Sequence, residues 1–351
     1  MKRNFLVFTV LILLPFVSLA QQADSSFSYV PKINGLVKAK WEYAFEDNTN
    51  RFDIRSMRLG ASGNISPYIS YRVQVEYSSN SNKRDVYLID AAASFTPSAR
   101  FSFSLGQFSL PFSDDHVISP AANNYVNRPL IGKYVNVGAS MRDIGALAQY
   151  NFIGKVPITL QAGLFNGAGA NKTDWQESPA ILGRVIYGEM EGFRGSVKCY
   201  TRKDTLDKRV RQYGIDFRYA KDRYRIETEF VIKDSVSVKD SRLYGSYLQG
   251  TYSFPIGNSK LLKYVEPNLR GDAMGFNVFD NGFDISRLTF GLNFGLAPKK
   301  MNAELRLNYE KLFFSGSKLG IQNDARYAGY FTGASNKPLS DRLTIELYIK
   351  F

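Results

Sequence analysis

The last ten residues, Arg342 to Phe351, read RLTIELYIKF and alternate without a break between two kinds of side chain. Leu343, Ile345, Leu347, Ile349 and Phe351 fall on one phase, and Arg342, Thr344, Glu346, Tyr348 and Lys350 on the other. Successive side chains of a strand point to opposite faces, so one face of this segment is wholly apolar and the other carries charge. Such a strand separates two unlike solvents. Hydrocarbon against a wet lumen satisfies it in a transmembrane barrel, and a protein core against bulk water satisfies it in a soluble sandwich. The remaining chain must decide between them.

The same period of two runs almost throughout from Ile33 onward. Strands are expected at 33-46, 52-65, 68-78, 85-96, 100-110, 142-153, 157-166, 180-190, 193-203, 209-220, 223-233, 241-254, 261-276, 284-296, 302-313 and 340-351, sixteen in all. In the second of these the apolar phase switches near Arg55 and Ser56, which predicts a bulge. Tight turns such as 220-222 and 297-300 alternate with longer polar connections such as 111-141 and 314-339. An up-and-down barrel with short turns at one rim and long loops at the other predicts that alternation, and an even count leaves both termini on the short-turn rim.

Charge placement separates lipid from a mere surface. In segments 33-45, 69-77, 193-201, 224-232, 303-309 and 343-351 the apolar face holds no Asp, Glu, Lys or Arg. An Arg or Lys facing lipid at mid-membrane costs about 2 to 4 kcal/mol, so hydrocarbon demands that exclusion. A closed barrel also pairs every backbone group, as the bilayer interior requires. Sixteen strands enclose more space than side chains fill, so a water-filled lumen follows. The fold expected is all-β, a transmembrane antiparallel up-and-down β-barrel of about sixteen strands over 33-351.

The first twenty residues read as an export signal. Lys2 and Arg3 precede an apolar run from Phe5 to Val17, and Ser18-Leu19-Ala20 offers small residues for cleavage. About 20 apolar residues are wanted for a helical span, so a membrane anchor is the weaker alternative. Residues 1-20 are thus expected to be a signal peptide, and 21-32 a short periplasmic segment ahead of the barrel. Cys199 is the only cysteine, which excludes an intrachain disulfide. With 45 basic and 32 acidic residues the chain carries a net charge of +13. Export makes nucleic acid a poor partner for that charge, and small anionic or neutral solutes and the lipid bilayer become better ones. The 22 Tyr and 26 Phe suit strands and membrane interfaces.

Several stretches carry a family resemblance. The segments Leu105-Gly106-Gln107-Phe108-Ser109-Leu110-Pro111-Phe112 and Ala162-Gly163-Leu164-Phe165-Asn166-Gly167-Ala168-Gly169-Ala170-Asn171, the latter followed by Asp174, resemble the phosphate-selective porin O and P family. Further similarity lies in 52-60, in Asn127-Arg128-Pro129-Leu130, in Arg142-Asp143-Ile144-Gly145 and in the terminal Phe351. The resemblance implies a sixteen-stranded outer-membrane porin, a homotrimer, with the loop after the fifth strand folded into the lumen as a constriction. It also implies a last strand read by the outer-membrane assembly machinery. The lumenal arginine ladder and lysine cluster that describe phosphate-selecting members have no residue-by-residue counterpart in this chain.

Chemistry points to a channel and not to an enzyme. His116 is the sole histidine, and beside Ser113, Asp114 and Asp115 it would need neighbouring positions to form a hydrolase triad, a geometry that adjacent residues seldom give. No cofactor or metal site is expected, although Asp114 and Asp115 leave calcium open as an alternative. The candidates for lining the pore are Lys38, Lys40, Arg72, Arg184, Arg194, Lys198, Arg202, Arg218, Arg225, Arg287 and Arg306, because rings of charge bias which ions pass. Glu42, Glu76, Glu227, Glu229 and Glu304 share those inward phases, and Arg72 is expected to pair with Glu76. Within the long loop, Arg128 and Lys133 are expected on one side of the constriction, facing Asp114 and Asp115. The function expected is passive diffusion of small hydrophilic solutes and ions, with a weak anion or phosphate preference. The alternative is a plugged structural or adhesive barrel whose loops 111-141 and 314-339 bind a partner.

Overall fold

The computed structural model describes residues 27–77, 86–113, 123–132, 142–154, 156–203, 209–236, 241–257, 259–276, 278–296, 303–324, 327 and 339–351. The expected signal peptide lies outside the described residues, as do Asp114, Asp115, His116 and Lys133. The strands run in chain order as β1 (Lys32–Ala44), β2 (Thr49–Ser66), β3 (Ile69–Tyr77), β4 (Val86–Phe95), β5 (Phe101–Ser109), β6 (Arg142–Phe152), β7 (Ile158–Phe165) and β8 (Ala180–Gly188). They continue as β9 (Gly192–Lys203), β10 (Arg209–Lys221), β11 (Tyr224–Val236), β12 (Ser241–Tyr252), β13 (Tyr264–Phe276), β14 (Ile285–Gly295), β15 (Ala303–Phe314) and β16 (Arg342–Lys350). Phe254–Pro255 extends β12 past Ser253 and stays paired with β13. The expected sixteen-strand wall is therefore present.

Every neighbour in the wall is antiparallel, and the wall closes on itself. Strand β1 pairs β16 from Leu36↔Lys350 to Ala44↔Arg342. One further exchange carries the seam to the terminus: Gly35 N donates to Phe351 O at 2.8 Å, and Phe351 N to Gly35 O at 3.2 Å. The Phe351 ring lies so close over Gly35 that an added Cβ would stand 2.2 Å from it. Closure removes both sheet edges, which is what a hydrocarbon solvent requires of a β-structure.

Burial is inverted relative to a soluble protein. The terminal strand shows it most simply: Ile345, Leu347 and Ile349 are exposed, while Thr344 and Glu346 are 0 % exposed. The same inversion runs around the wall, with Leu305, Phe217, Val197 and Leu164 outside and Arg306, Asp216, Lys198 and Gln249 inside. Aromatic side chains gather in two belts. Tyr150–Phe152, Tyr187–Phe193 and Tyr224–Tyr252 contacts encircle the short-turn rim. Trp41–Tyr43, Phe45–Tyr309 and Phe230–Tyr244 mark the opposite level. An aliphatic band between two aromatic girdles is the outer surface of a membrane-spanning barrel.

The phase switch in β2 is a bulge. Lys38 pairs Ser56 and Ala39 pairs Ile54, so Arg55 is the extra residue. Both Arg55 and Ser56 consequently reach the lumen, Arg55 to Val126 O and Ser56 to Glu76. A second shift between Gln74 and Val75 in β3 leaves Ile89 of β4 without an opposite residue.

Candidate functional site in the barrel lumen

The described parts of the long connection after β5 lie inward. Its first residues, Leu110 and Phe112, join Leu130 and Ile131 in an apolar cluster with Leu182, Tyr200, Tyr247, Met274 and Phe276 of the wall. Segment 123–132 then lies against β12 to β15. Tyr125 donates its hydroxyl to Leu269 O at 2.7 Å and Gly250 O at 3.0 Å. Val126 N donates to Asn308 at 2.8 Å, Asn127 to Glu310 at 2.9 Å, and Leu130 N to Asp272 at 2.6 Å. The wall donates in return, from Arg270 to Asn127 O at 2.9 Å, Arg287 to Arg128 O at 2.8 Å and Asn293 to Asn124 O at 2.8 Å. Burial raises the Tyr125 phenol well above its ordinary pKa, so it remains a donor at all working pH values. Segment 123–132 of the expected inward loop is thus held in the lumen, secured by side chains that would otherwise be buried without partners.

The root of this loop is held by three of the motifs that carry the resemblance. Gly106 takes φ +125, and a Cβ there would stand 2.2 Å from Ala91 O, so only glycine permits the approach. The next residue, Gln107, donates to Leu88 O at 2.9 Å and accepts from Asn171 N at 2.6 Å. Asp143 accepts from Gly167 N at 2.6 Å. Gly167 and Asn171 both adopt positive φ, which the glycine-rich stretch supplies. The motifs thus form one junction joining β4, β5, β6 and the β7–β8 loop.

The inward bases are mostly tied to acids. Lys198 reaches both Asp216 and Glu229, with Arg184 3.3 Å from Asp216. Arg287 lies 2.8 Å from Asp272 and 2.7 Å from Glu310, and Arg306 lies 2.6 Å from Glu304 and 3.5 Å from Glu346. Lys38 approaches Glu346 at 3.7 Å, Lys40 approaches Glu42 at 2.7 Å, and Arg218 and Arg225 flank Glu227 at 3.4 and 3.7 Å. Arg194 is buried and donates to Met190 Sδ at 3.0 Å. One reading needs correction. Arg72 pairs with Asp90 at 3.1 Å and not with Glu76, which is taken by Arg58 at 3.0 Å. The β2 bulge explains this, because it turns Arg58 onto the inward phase beside Glu76. Of the expected constriction charges, only Arg128 is among the described residues, and its carbonyl is what Arg287 binds.

Arg202 and Lys233 stand apart from these pairs: neither has a carboxylate within 4 Å among the described residues, and the Arg202 Nε has no hydrogen-bond partner. Arg72, with its side chain 54 % exposed, is the most open of the pore-lining candidates that pair with an acid. Sequence reasoning left out Arg270, the most enclosed cation, which sits 4.6 Å over the Tyr125 ring and 3.5 Å from Asp272. Its signal was available in the alternation of Glu266, Asn268, Arg270 and Asp272 along β13.

The wall is inverted, and segment 123–132 is drawn into its lumen. Residues 37–187 match the family described as phosphate-selective porin O and P. That stretch spans β1 to β8 and contains every motif of the resemblance except the terminal Phe351. No functionally curated protein matches the chain. Among solved structures, OmpF of Salmonella typhi in complex with daunomycin is similar at a TM-score of 0.62 and 12 % identity, over 92 % of this chain and 97 % of that one. The anion-selective porin of Comamonas acidovorans is similar at 0.57 and 11 % identity, over 92 % and 98 %. OmpT of Vibrio cholerae in trimer form is similar at 0.57 and 12 % identity, over 92 % and 99 %. At these identities the likeness establishes the porin barrel fold.

Proposed function

We propose that this chain is a passive channel of the Gram-negative outer membrane, admitting small hydrophilic solutes and ions with a weak anion preference. The observation that carries the reading is the inverted barrel whose polar lumen is narrowed by segment 123–132. The family match over residues 37–187 supports it. A protein that buries Arg270, Glu310 and Glu346 while exposing Leu347 is built to hold water inside and lipid outside.

The anion preference is weak because most of the inward bases are neutralised by acids. A passing anion near Lys198 or Arg287 meets the carboxylates already bound there. The residual positive field comes from Arg202, Lys233 and the open Arg72, supported by the chain's excess of base. That is too sparse for a phosphate-grade relay. A homotrimer, export through a cleaved signal peptide and recognition of β16 by the assembly machinery belong to the same reading. So does a non-enzymatic role, since a pore needs no catalytic base.

The test is reconstitution of the mature chain in a planar bilayer under a salt gradient. A reversal potential of the sign for anion preference supports the reading, and cation preference overturns the selectivity. Absence of conductance by correctly folded protein overturns the channel in favour of a plugged barrel. The extensive anchoring of segment 123–132 is the observation that favours that second reading.

A further inference from the structure

The two halves of the lumen differ in chemistry. On β13 to β16 the inward side chains include an interlocked, closed-off set of charges: Arg270, Arg306, Glu310 and Glu346 are all 0 to 1 % exposed. On β5 to β7 no inward side chain of the lower wall, toward the short-turn rim, is charged. Ser102 and Ser104 of β5, Gln149 and Asn151 of β6, and Thr159 and Gln161 of β7 occupy it, all half-exposed. Register places them in continuous rows, Ser102↔Gln149↔Gln161 and Asn151↔Thr159. Each row is held by a hydrogen bond, from Gln161 to Gln149 at 2.8 Å and from Thr159 to Asn151 at 3.0 Å, and Gln149 donates to Asn151 at 3.1 Å to link the two rows. Ser94 of β4 extends the wall through a 2.7 Å bond to Ser104.

We infer that this wall is a binding strip for uncharged, hydroxyl-rich solutes of the polyol and short saccharide class. The inference rests on the channel reading and names a solute class for it. Each amide offers two donors and an acceptor, and each hydroxyl offers both. A row of them gives a neutral hydroxylated molecule a sequence of exchangeable partners, which suits a site that must release what it binds. An ion gains little there, because none of these six side chains carries a charge to replace its hydration. The facing half supplies no competing site, since its charges are already satisfied by one another and by segment 123–132. The geometry therefore separates two properties, with residual cations biasing ion flow and a neutral wall retaining sugars.

The experiment is current blockade of the reconstituted full mature chain in potassium chloride, with a linear glucose oligosaccharide added, against a zwitterionic peptide of similar size. The expected result is reversible blockade by the oligosaccharide only. In Gln149→Leu and, as a second and milder change, Ser102→Ala, residence should shorten by about threefold or more, the worth of one neutral hydrogen bond. Folding of each variant is checked by mobility before and after boiling. Salt conductance with no sugar blockade, or with equal blockade by both solutes, overturns the strip and leaves the channel standing. Blockade unchanged in both variants also overturns it. No salt conductance from folded wild-type protein overturns the channel reading and this inference together.

Discussion

Replacing Arg270 by Met tests whether segment 123–132 sets the width of the pore. Arg270 is 0 % exposed, so solvent screening gives no relief. Its guanidinium donates to Asn127 O at 2.9 Å and stacks 4.6 Å from the Tyr125 ring. A hydrogen bond from a charged group is worth about 1.5 to 3 kcal/mol, and a cation–π contact about 0.5 to 2 kcal/mol. The anchored state should thus lose roughly 2 to 5 kcal/mol, a shift of about 30-fold to several thousand-fold in the ratio of anchored to released segment. Arg287 remains on Asp272 and Glu310, so the carboxylates keep a partner and the barrel itself should survive. Single-channel recording and solute-size cut-off in proteoliposomes are the assays, with larger, noisier conductance and a higher cut-off expected. Arg51→Met is the control, because its pair with Glu42 is half-exposed and such pairs contribute about 0 to 1 kcal/mol. Wild-type conductance and cut-off in folded Arg270→Met protein would refute the reasoning.

Two further outcomes follow from the wall. Leu347→Arg should lower membrane yield strongly, since a cation on the lipid face costs about 2 to 4 kcal/mol, whereas Gln149→Arg in the half-exposed lumen should assemble near wild-type level. Immunoblots of membrane fractions compare them. Asp341, just ahead of β16, has its carboxyl held below the ordinary range: burial pushes it up, but Lys311 at 2.6 Å and the Leu312 N–H at 2.9 Å outweigh that. A depressed folded pKa means the contribution is present above about pH 4 and is lost as pH falls through the folded value. The temperature at which the unboiled form disappears should therefore drop below that pH in wild type and drop less in Asp341→Asn.

Much of the fold was legible because lipid enforces a simple rule. Period two with an uncharged face located all sixteen strands, and the phase switch at Arg55 and Ser56 located the β2 bulge. Pairing was harder to read, since a one-residue bulge changes which base meets Glu76. Arg270 escaped notice because its role depends on Tyr125 and Asn127, more than 140 positions away, and such proximity has no local signature. The motifs at Gln107, Asp143 and Gly167 were visible as a resemblance, yet their physical content, one junction under the loop root, needed the hydrogen bonds. The uncharged lower wall of β5 to β7 was hidden by attention to charge.

The inside-out arrangement is tested most directly on the β6–β7 hairpin. In a Cys199→Ser background, single cysteines at 148 to 151 and 159 to 162 are exposed, in proteoliposomes, to a membrane-impermeant thiol reagent while current is recorded. Positions 149, 151, 159 and 161 face the lumen and should react and reduce conductance, while 148, 150, 160 and 162 face lipid and should not. Reaction at the opposite phase, or without a period of two, would contradict the account.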